Sequence, residues 1–287
     1  MADKTGQIDI RGLDIQKLVV GFAEEANILK NYVRISPTSA REIRYFSKTS
    51  GFLDSVDTTT ITASQIANTS DKSRPVVVSQ SWTRNTSYVR KYFVTSEMIS
   101  DEDIKDSDVD CYSVTIRDLV RAGARQVDSR IYTVITTGTG VLTGAATAAW
   151  DTVATCNPIK DILVMKAAIR SNGYNPEGAI MYIHPTVHKD LMNYLINVKG
   201  SSIPSFSSNL MSPGVVHELL GARVIVSENA TDGQVAFFVP NCACWKEFMP
   251  ITTGVVEEVG VGRAVRIWEE GECILEEPKS SYLLTTA

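Results

Sequence analysis

Between Val109 and Ile135 apolar residues recur at helical spacing without a single proline: Val109, Tyr112, Ile116, Leu119, Val120, Ala124, Val127, Ile131 and Val134. The pattern predicts one amphipathic helix, roughly 40 Å long at 1.5 Å per residue and well beyond the usual three turns. Asp106-Ser107-Asp108 offers N-cap chemistry at its start, and Thr136-Thr137-Gly138-Thr139-Gly140 stops it. In a chain of 287 residues such a rod reads as a strut in an assembly rather than as part of a compact catalytic core.

The segments around it are of other kinds. Residues 13 to 33 have helical character (Leu13, Leu18, Val19, Phe22, Ala26, Leu29, Tyr32), and Ser36-Pro37-Thr38-Ser39 is a break. From Ile43 to Phe93 the texture is β-branched and aromatic, interrupted by the polar run Asn68 to Pro75, which predicts a long two-stranded excursion. Such a hairpin is marginal alone in water and needs a neighbour. After the long helix, 143 to 155 reads as a small-residue linker containing Trp150. Asn157 and Pro158 then open a helix that ends at Gly173. A strand follows at 179 to 183, a helix from His184-Pro185 to Leu195, and a long loop at 199 to 214. Leu219 to Val226 reads as a helix end turning into a strand, and Gln234 to Leu284 is mostly strand, with clean alternation in Val265-Arg266-Ile267-Trp268-Glu269.

The net charge of −5 argues against generic nucleic-acid binding, so any DNA contact has to be local. Five cysteines without framework spacing read as reduced thiols. There is no signal-peptide pattern and no membrane-length apolar run, so a soluble intracellular product is expected.

The order of these pieces resembles the major capsid proteins of tailed phages, of the Hong Kong 97 type. The resemblance is carried by Ser96-Glu97-Met98, by the long helix with Gln126-Val127-Asp128, and by the Gly138-Thr139-Gly140 stop. Further along come Ser171-Asn172-Gly173-Tyr174-Asn175-Pro176 leading into Ile180 to Pro185, Leu219 to Val226, and Glu276 to Leu283. It implies an α+β fold with an N-terminal arm at 1–44, an extended E-loop hairpin at 45–92 and a peripheral domain with the spine helix at 93–157. An axial α/β domain at 158–252 follows, and strands returning to the peripheral domain close the chain at 253–287. Hexamers and pentamers would build an icosahedral shell around double-stranded DNA, assembled in the host cytoplasm, with portal, scaffold or decoration proteins as further partners and no membrane. Many relatives carry a long scaffolding segment before the arm; here the arm begins close to Met1, so scaffolding is expected as a separate protein, as absent, or as already trimmed.

No catalytic, metal or cofactor residues are expected. His184 and His188 are spaced i, i+4 but lack a third ligand, and Cys242-Ala243-Cys244 lacks zinc-knuckle spacing, so buried thiols are the better reading. Gly138-Thr139-Gly140 and Gly260-Val261-Gly262 lack the strand-loop-helix context of a phosphate loop. Arg117, Arg121 and Arg125 form a stripe that could face DNA, although Asp110, Asp118 and Asp128 offer ion pairs along it. The basic stretch Lys30, Arg34, Arg41, Arg44 and Lys48 faces seven glutamates among residues 255 to 287. This suggests that the arm docks on the acidic strands of its own or a neighbouring subunit, with salt-sensitive shells. Candidate contacts between subunits are Phe22, Arg34, Arg41, Arg44, Lys72, Arg74, Glu269 and Glu270; some relatives crosslink a lysine of the E-loop, for which Lys72 is the candidate position, but no sequence context names the partner asparagine or assisting glutamate and the crosslink is not carried over. The competing readings are an encapsulin-type nanocompartment enclosing cargo protein and, from another class, a soluble α/β enzyme with its substrate domain at 158–252.

Overall fold

A computed structural model describes residues 28–47, 82–106, 111–196 and 218–286. The helix α1 spans Asp101–Asp106 and the long helix α2 spans Cys111–Thr137. Residues 107–110, which hold two of the three expected capping residues, lie outside the described set. Ile116, Val120, Ala124, Val127, Ile131 and Ile135 are the buried stripe of α2, as the periodicity requires. Its end is closed by side chains: Thr136 Oγ1 donates to the Tyr132 carbonyl (2.8 Å) and Thr137 Oγ1 to that of Thr133 (2.7 Å). Gly140 then leaves at φ 91°.

Before α2 the chain forms β1 (Arg34–Pro37), β2 (Glu42–Ser47), β3 (Thr83–Tyr88), β4 (Arg90–Thr95) and β5 (Ile99–Ser100). After it come β6 (Leu142–Ala145), helix α3 (Pro158–Ser171), β7 (Ile180–Ile183) and helix α4 (Pro185–Tyr194). Then follow β8 (Glu218–Leu219), β9 (Ala222–Val226), β10 (Gln234–Phe238), β11 (Ala243–Glu258), β12 (Gly262–Leu275) and β13 (Ser281–Thr285).

Residues 1–43, 86–131 and 244–274 make one compact unit. Its sheet has the order β1-β11-β12-β4, with β5 also on β12. β1 runs parallel to β11, and β4 runs antiparallel to β12 with Phe93 opposite Trp268 and Tyr92 opposite Glu269. Ile116 and Val120 of α2 pack on Val265 and Ile267 of β12.

Residues 44–85, 132–243 and 275–287 make the other unit. Its six-stranded sheet has the order β6-β13-β10-β7-β9-β8. The core there gathers Ile162, Met165 and Ile169 of α3, Leu191 of α4, and Met181, Val235 and Phe237 of the sheet. Asn157 caps α3 by accepting from Lys160 N (3.2 Å).

Four expectations are corrected. The segment 143 to 155 is no passive linker: it carries β6, and Trp150 is buried with its Nε1 donating to Asp161 Oδ2 (3.0 Å). Leu219 to Val226 is a strand hairpin, β8 to β9, whose two-residue turn holds Leu220 at φ 53° and Gly221 at φ 72°. The run from Tyr88 to Phe93 is not the second arm of one excursion. β2 pairs with β3, whereas β4 pairs with β12, with Phe93 opposite Trp268 and Tyr92 opposite Glu269. Residues 28 to 33 form no long helix but a 3₁₀ turn at Leu29–Tyr32, and Ser36-Pro37 continues β1. The rest of the expected first helix, the central part of the excursion and the loop at 199 to 214 lie outside the described residues.

Candidate assembly surfaces and a buried charge cluster

Alternation in β12 puts Val265, Ile267 and Glu269 on one face, and that face packs on the helix side of the first unit. A carboxylate placed there needs partners. Lys30 supplies one, with Nζ 2.6 Å from Glu269 Oε1 and 3.1 Å from Glu247 Oε1. The same segment is tied to α2 by its backbone, since Ile28 N and Lys30 N donate to Asp128 Oδ2 and Oδ1 at 2.7 and 3.2 Å.

Two neighbouring glutamates repeat the arrangement. Glu270 meets Arg41 (3.3 Å) and Lys91 (3.6 Å). Glu272, fully buried, meets Arg90 (3.1 Å) and both Nε (2.9 Å) and Nη2 of Arg130. Glu247, Glu269, Glu270 and Glu272 are thus matched by Lys30, Arg41, Arg90, Lys91 and Arg130, while Asp128 is held by backbone N–H groups.

Burial drives the titration of this cluster. Burial raises Asp128 above the ordinary aspartate value against the pull of three backbone N–H donors, and it raises Glu269 against the pull of Lys30. For Lys30 burial works the other way, but the Glu269 and Glu247 carboxylates outweigh it and hold the ammonium above its usual value. The phenol of Tyr92 is pushed up to about 12, by burial first and Glu272 second.

The basic arm stretch therefore does meet acidic strands, within one chain. Lys30 and Arg41 make such contacts, Lys30 from a buried position and Arg41 from an exposed one. Glu269 and Glu270 are 4% and 5% exposed in the single subunit, so they are not surface on which a neighbour could dock. The Lys30–Glu269 pair is buried and weakly screened, so the expected salt sensitivity does not follow from it. Phe22, Lys48, Lys72, Arg74 and Asp110 lie outside the described residues.

The arginine stripe also changes. Arg121 and Arg125 are exposed on α2, and Arg117 Nε lies 3.5 Å from Asp118 Oδ1. Asp128, expected to offset the stripe, is turned inward onto the arm backbone. Its place four residues after Ala124 and three before Ile131, inside the buried stripe, was the signal for this.

His184 is the N-cap of α4, its Nδ1 accepting from Thr186 N (3.4 Å), with Thr186 Oγ1 donating to Asp232. Cys242 and Cys244 are free and buried, the Cys242 thiol raised to about 12 by burial. Among the described residues no group of three or more His, Cys, Asp or Glu side chains could hold a metal ion. Among the same residues no helix is long and apolar enough to cross a membrane.

Large apolar side chains remain outside both cores. Tyr88, Phe93 and Val255 are exposed in the first unit, as are Phe46, Trp82, Leu163 and Val164 in the second. The turn between β11 and β12 ends in Val259, which is 96% exposed.

A family model described as phage capsid protein matches residues 85–271. No curated protein matches the chain by sequence. Among solved structures the fold is similar to the capsid of the cyanophage P-SCSP1u, with a TM-score of 0.63 and 12% identity over 91% of this chain and 88% of that one. The virus-like particle from Pyrococcus furiosus gives 0.62 and 11% over 94% and 97%. The capsid of the native GTA particle gives 0.63 and 12% over 90% and 89%. At these identities the likeness is one of fold.

Proposed function

The chain belongs to the phage capsid protein family, and from that premise we propose that its copies assemble as hexamers and pentamers into an icosahedral head shell enclosing double-stranded DNA. The shell performs no catalytic step in this reading. Assembly takes place in the host cytoplasm, with portal, scaffold or decoration proteins joining from outside this chain.

The observation that carries the reading is the surface of the single subunit. A valine left 96% exposed at a hairpin tip, with exposed aromatics such as Trp82, Tyr88 and Phe93, is apolar surface that neighbouring copies in a shell would cover. Contact with packaged DNA is assigned to the stripe Arg117, Arg121 and Arg125 on α2, of which Arg121 and Arg125 are exposed. Reversing both exposed arginines to glutamate should lower the DNA content of shells without preventing their formation.

Electron microscopy of the purified protein tests the reading directly. Closed shells of uniform diameter are expected; a preparation of small monomers only would defeat it. A second reading, an encapsulin-type compartment around cargo protein, draws on the likeness to a virus-like particle over nearly the whole of both chains. Nuclease-protected DNA inside shells separates the first from a protein cargo.

A further inference from the structure

Ser171-Asn172-Gly173-Tyr174 closes α3, and it holds the only asparagine followed by glycine in the 287 residues. In that dipeptide the side-chain amide is most open to attack by the next backbone nitrogen, because glycine has no side chain to shield that nitrogen or restrict its rotation. The structure builds a turn around it. Asn172 is the C-cap at φ −94° and ψ 12°, and Gly173 follows at φ 86°. Gly173 N donates to the Arg170 carbonyl (3.0 Å) and Tyr174 N to that of Ile169 (3.4 Å), the two bonds of a Schellman motif. Tyr174 packs against the core that contains Ile169, which pins the motif.

Each reacting group is therefore held in another role. The Gly173 nitrogen is engaged with Arg170, and the amide that would leave, Asn172 Nδ2, donates to the Ala168 carbonyl (2.8 Å). The backbone angle is also wrong for ring closure. A five-membered ring needs Gly173 N eclipsed with Cβ of Asn172, whereas a ψ of 12° eclipses it with the Asn172 nitrogen. The ring closes only when ψ rotates, and that rotation breaks the turn. Water nevertheless reaches the site, since Gly173 is exposed and Asn172 half-buried at a helix end, where local opening is easiest.

We propose that Asn172 is a deamidation site held shut by the C-terminal turn of α3 and opened whenever that turn unfolds. Gly173 N then attacks Asn172 Cγ; the new C–N bond forms, the Cγ–Nδ2 bond breaks, and the Gly173 proton leaves with the amide as ammonia. Water opens the resulting succinimide at either carbonyl, leaving aspartate or isoaspartate. Neither product rebuilds the turn as it was. Both replace the Nδ2 donor to Ala168 by a carboxylate, which is disfavoured beside the carbonyls at a helix C-terminus. Isoaspartate also adds a backbone carbon before Gly173 N, which displaces both Schellman bonds. A subunit that lingers with this end open is changed irreversibly, whether or not it assembles.

The full-length protein, native and unfolded in guanidinium chloride, is incubated side by side in mildly alkaline buffer, and peptide mapping follows aspartate and isoaspartate at position 172. Mapping also separates this signal from Asp232-Gly233, the one Asp-Gly pair in the chain. The unfolded chain should convert, and the native one more slowly by about tenfold or more, since only its opened fraction reacts. Tyr174→Ala loosens the motif without altering the reacting pair, so it should raise the native rate by about threefold or more and leave the unfolded rate unchanged. Asn172→Gln, whose longer side chain closes no five-membered ring, should lose the signal in both states. Native conversion as fast as that of the unfolded chain, an unfolded chain that stays intact at Asn172, or a native rate indifferent to Tyr174→Ala would each overturn the inference. Should Tyr174→Ala fail to fold, the comparison of native and unfolded wild type decides alone.

Discussion

Lys30 Nζ sits 2.6 Å from Glu269 Oε1, and both side chains are almost wholly buried, at 11% and 5% exposure. The lysine comes from the root of the arm and the glutamate from the middle of β12, 239 residues later. The pair therefore fixes where the arm begins on its own subunit. Removing one partner from such a pair leaves an uncompensated buried charge, which typically costs about 3–5 kcal/mol.

Lys30→Met should accordingly destabilise the dissociated subunit by about that much. The double variant Lys30→Met with Glu269→Gln should recover part of the loss, because the more deeply buried carboxylate is then removed and only the partly exposed Glu247 is left without its ammonium partner. Denaturant unfolding of the four members of the cycle measures the coupling. A loss in the double variant equal to the sum of the two single losses would show that the pair is not coupled.

Asp128 offers a pH test with a definite sign. Burial raises its folded value above that of the unfolded chain, so the fold binds this proton more tightly than the unfolded state does. Its favourable contribution is greatest below the unfolded aspartate value near 3.9 and declines as pH rises through the raised folded value. Asp128→Asn is neutral at every pH and lacks this slope. Urea midpoints of wild type should therefore fall relative to those of Asp128→Asn as pH climbs from about 4 to 7; a relative rise would contradict the burial argument.

The elements that could be read from residue order alone are those whose signals are local. The spacing Ile116, Val120, Ala124, Val127, Ile131 fixed α2, and Asn157-Pro158 fixed the start of α3. Sheet membership is not local. Tyr88 and Arg90 have the same strand texture but part into different sheets, β4 lying in register with Trp268 and Glu269 of a strand far along the chain. The Leu220 turn escaped because its residue is the wrong one for its backbone. For the charge cluster the signals were present: alternation put Glu269 on the face of Val265 and Ile267, and periodicity put Asp128 in the buried stripe. What pattern could not supply was the partner, since Lys30 reaches Glu269 only through the fold.

Gly271 is required by a close approach. A Cβ built there would lie 2.5 Å from Trp245 Cζ2, 2.6 Å from Cε2 and 3.0 Å from the Lys246 carbonyl oxygen. Trp245 is fully buried and cannot swing away. Gly271→Ala should therefore cost about 1–3 kcal/mol, as overpacking does. Thermal unfolding of the subunit checks it, and an unchanged midpoint would mean that the ring has room to move.

Val259 separates assembly from folding. It is the most exposed of the large apolar side chains described, at the tip of the β11–β12 turn, next to Gly260 at φ 77°. Nothing in the core of its unit depends on it, since the Ile116, Val120, Val265 and Ile267 cluster lies elsewhere on those strands. Val259→Asp should thus leave unfolding of the dissociated subunit within about 0.5 kcal/mol of wild type, as surface changes do. If copies cover the tip, the same change buries an unpaired carboxylate at the contact, which is far costlier than the lost methyl groups. Sedimentation should then show subunits or small oligomers in place of shells, with rescue by Val259→Ile, which keeps the tip apolar. Shells formed by Val259→Asp in wild-type yield would place the tip in solvent, and the apolar contacts between copies would have to lie elsewhere.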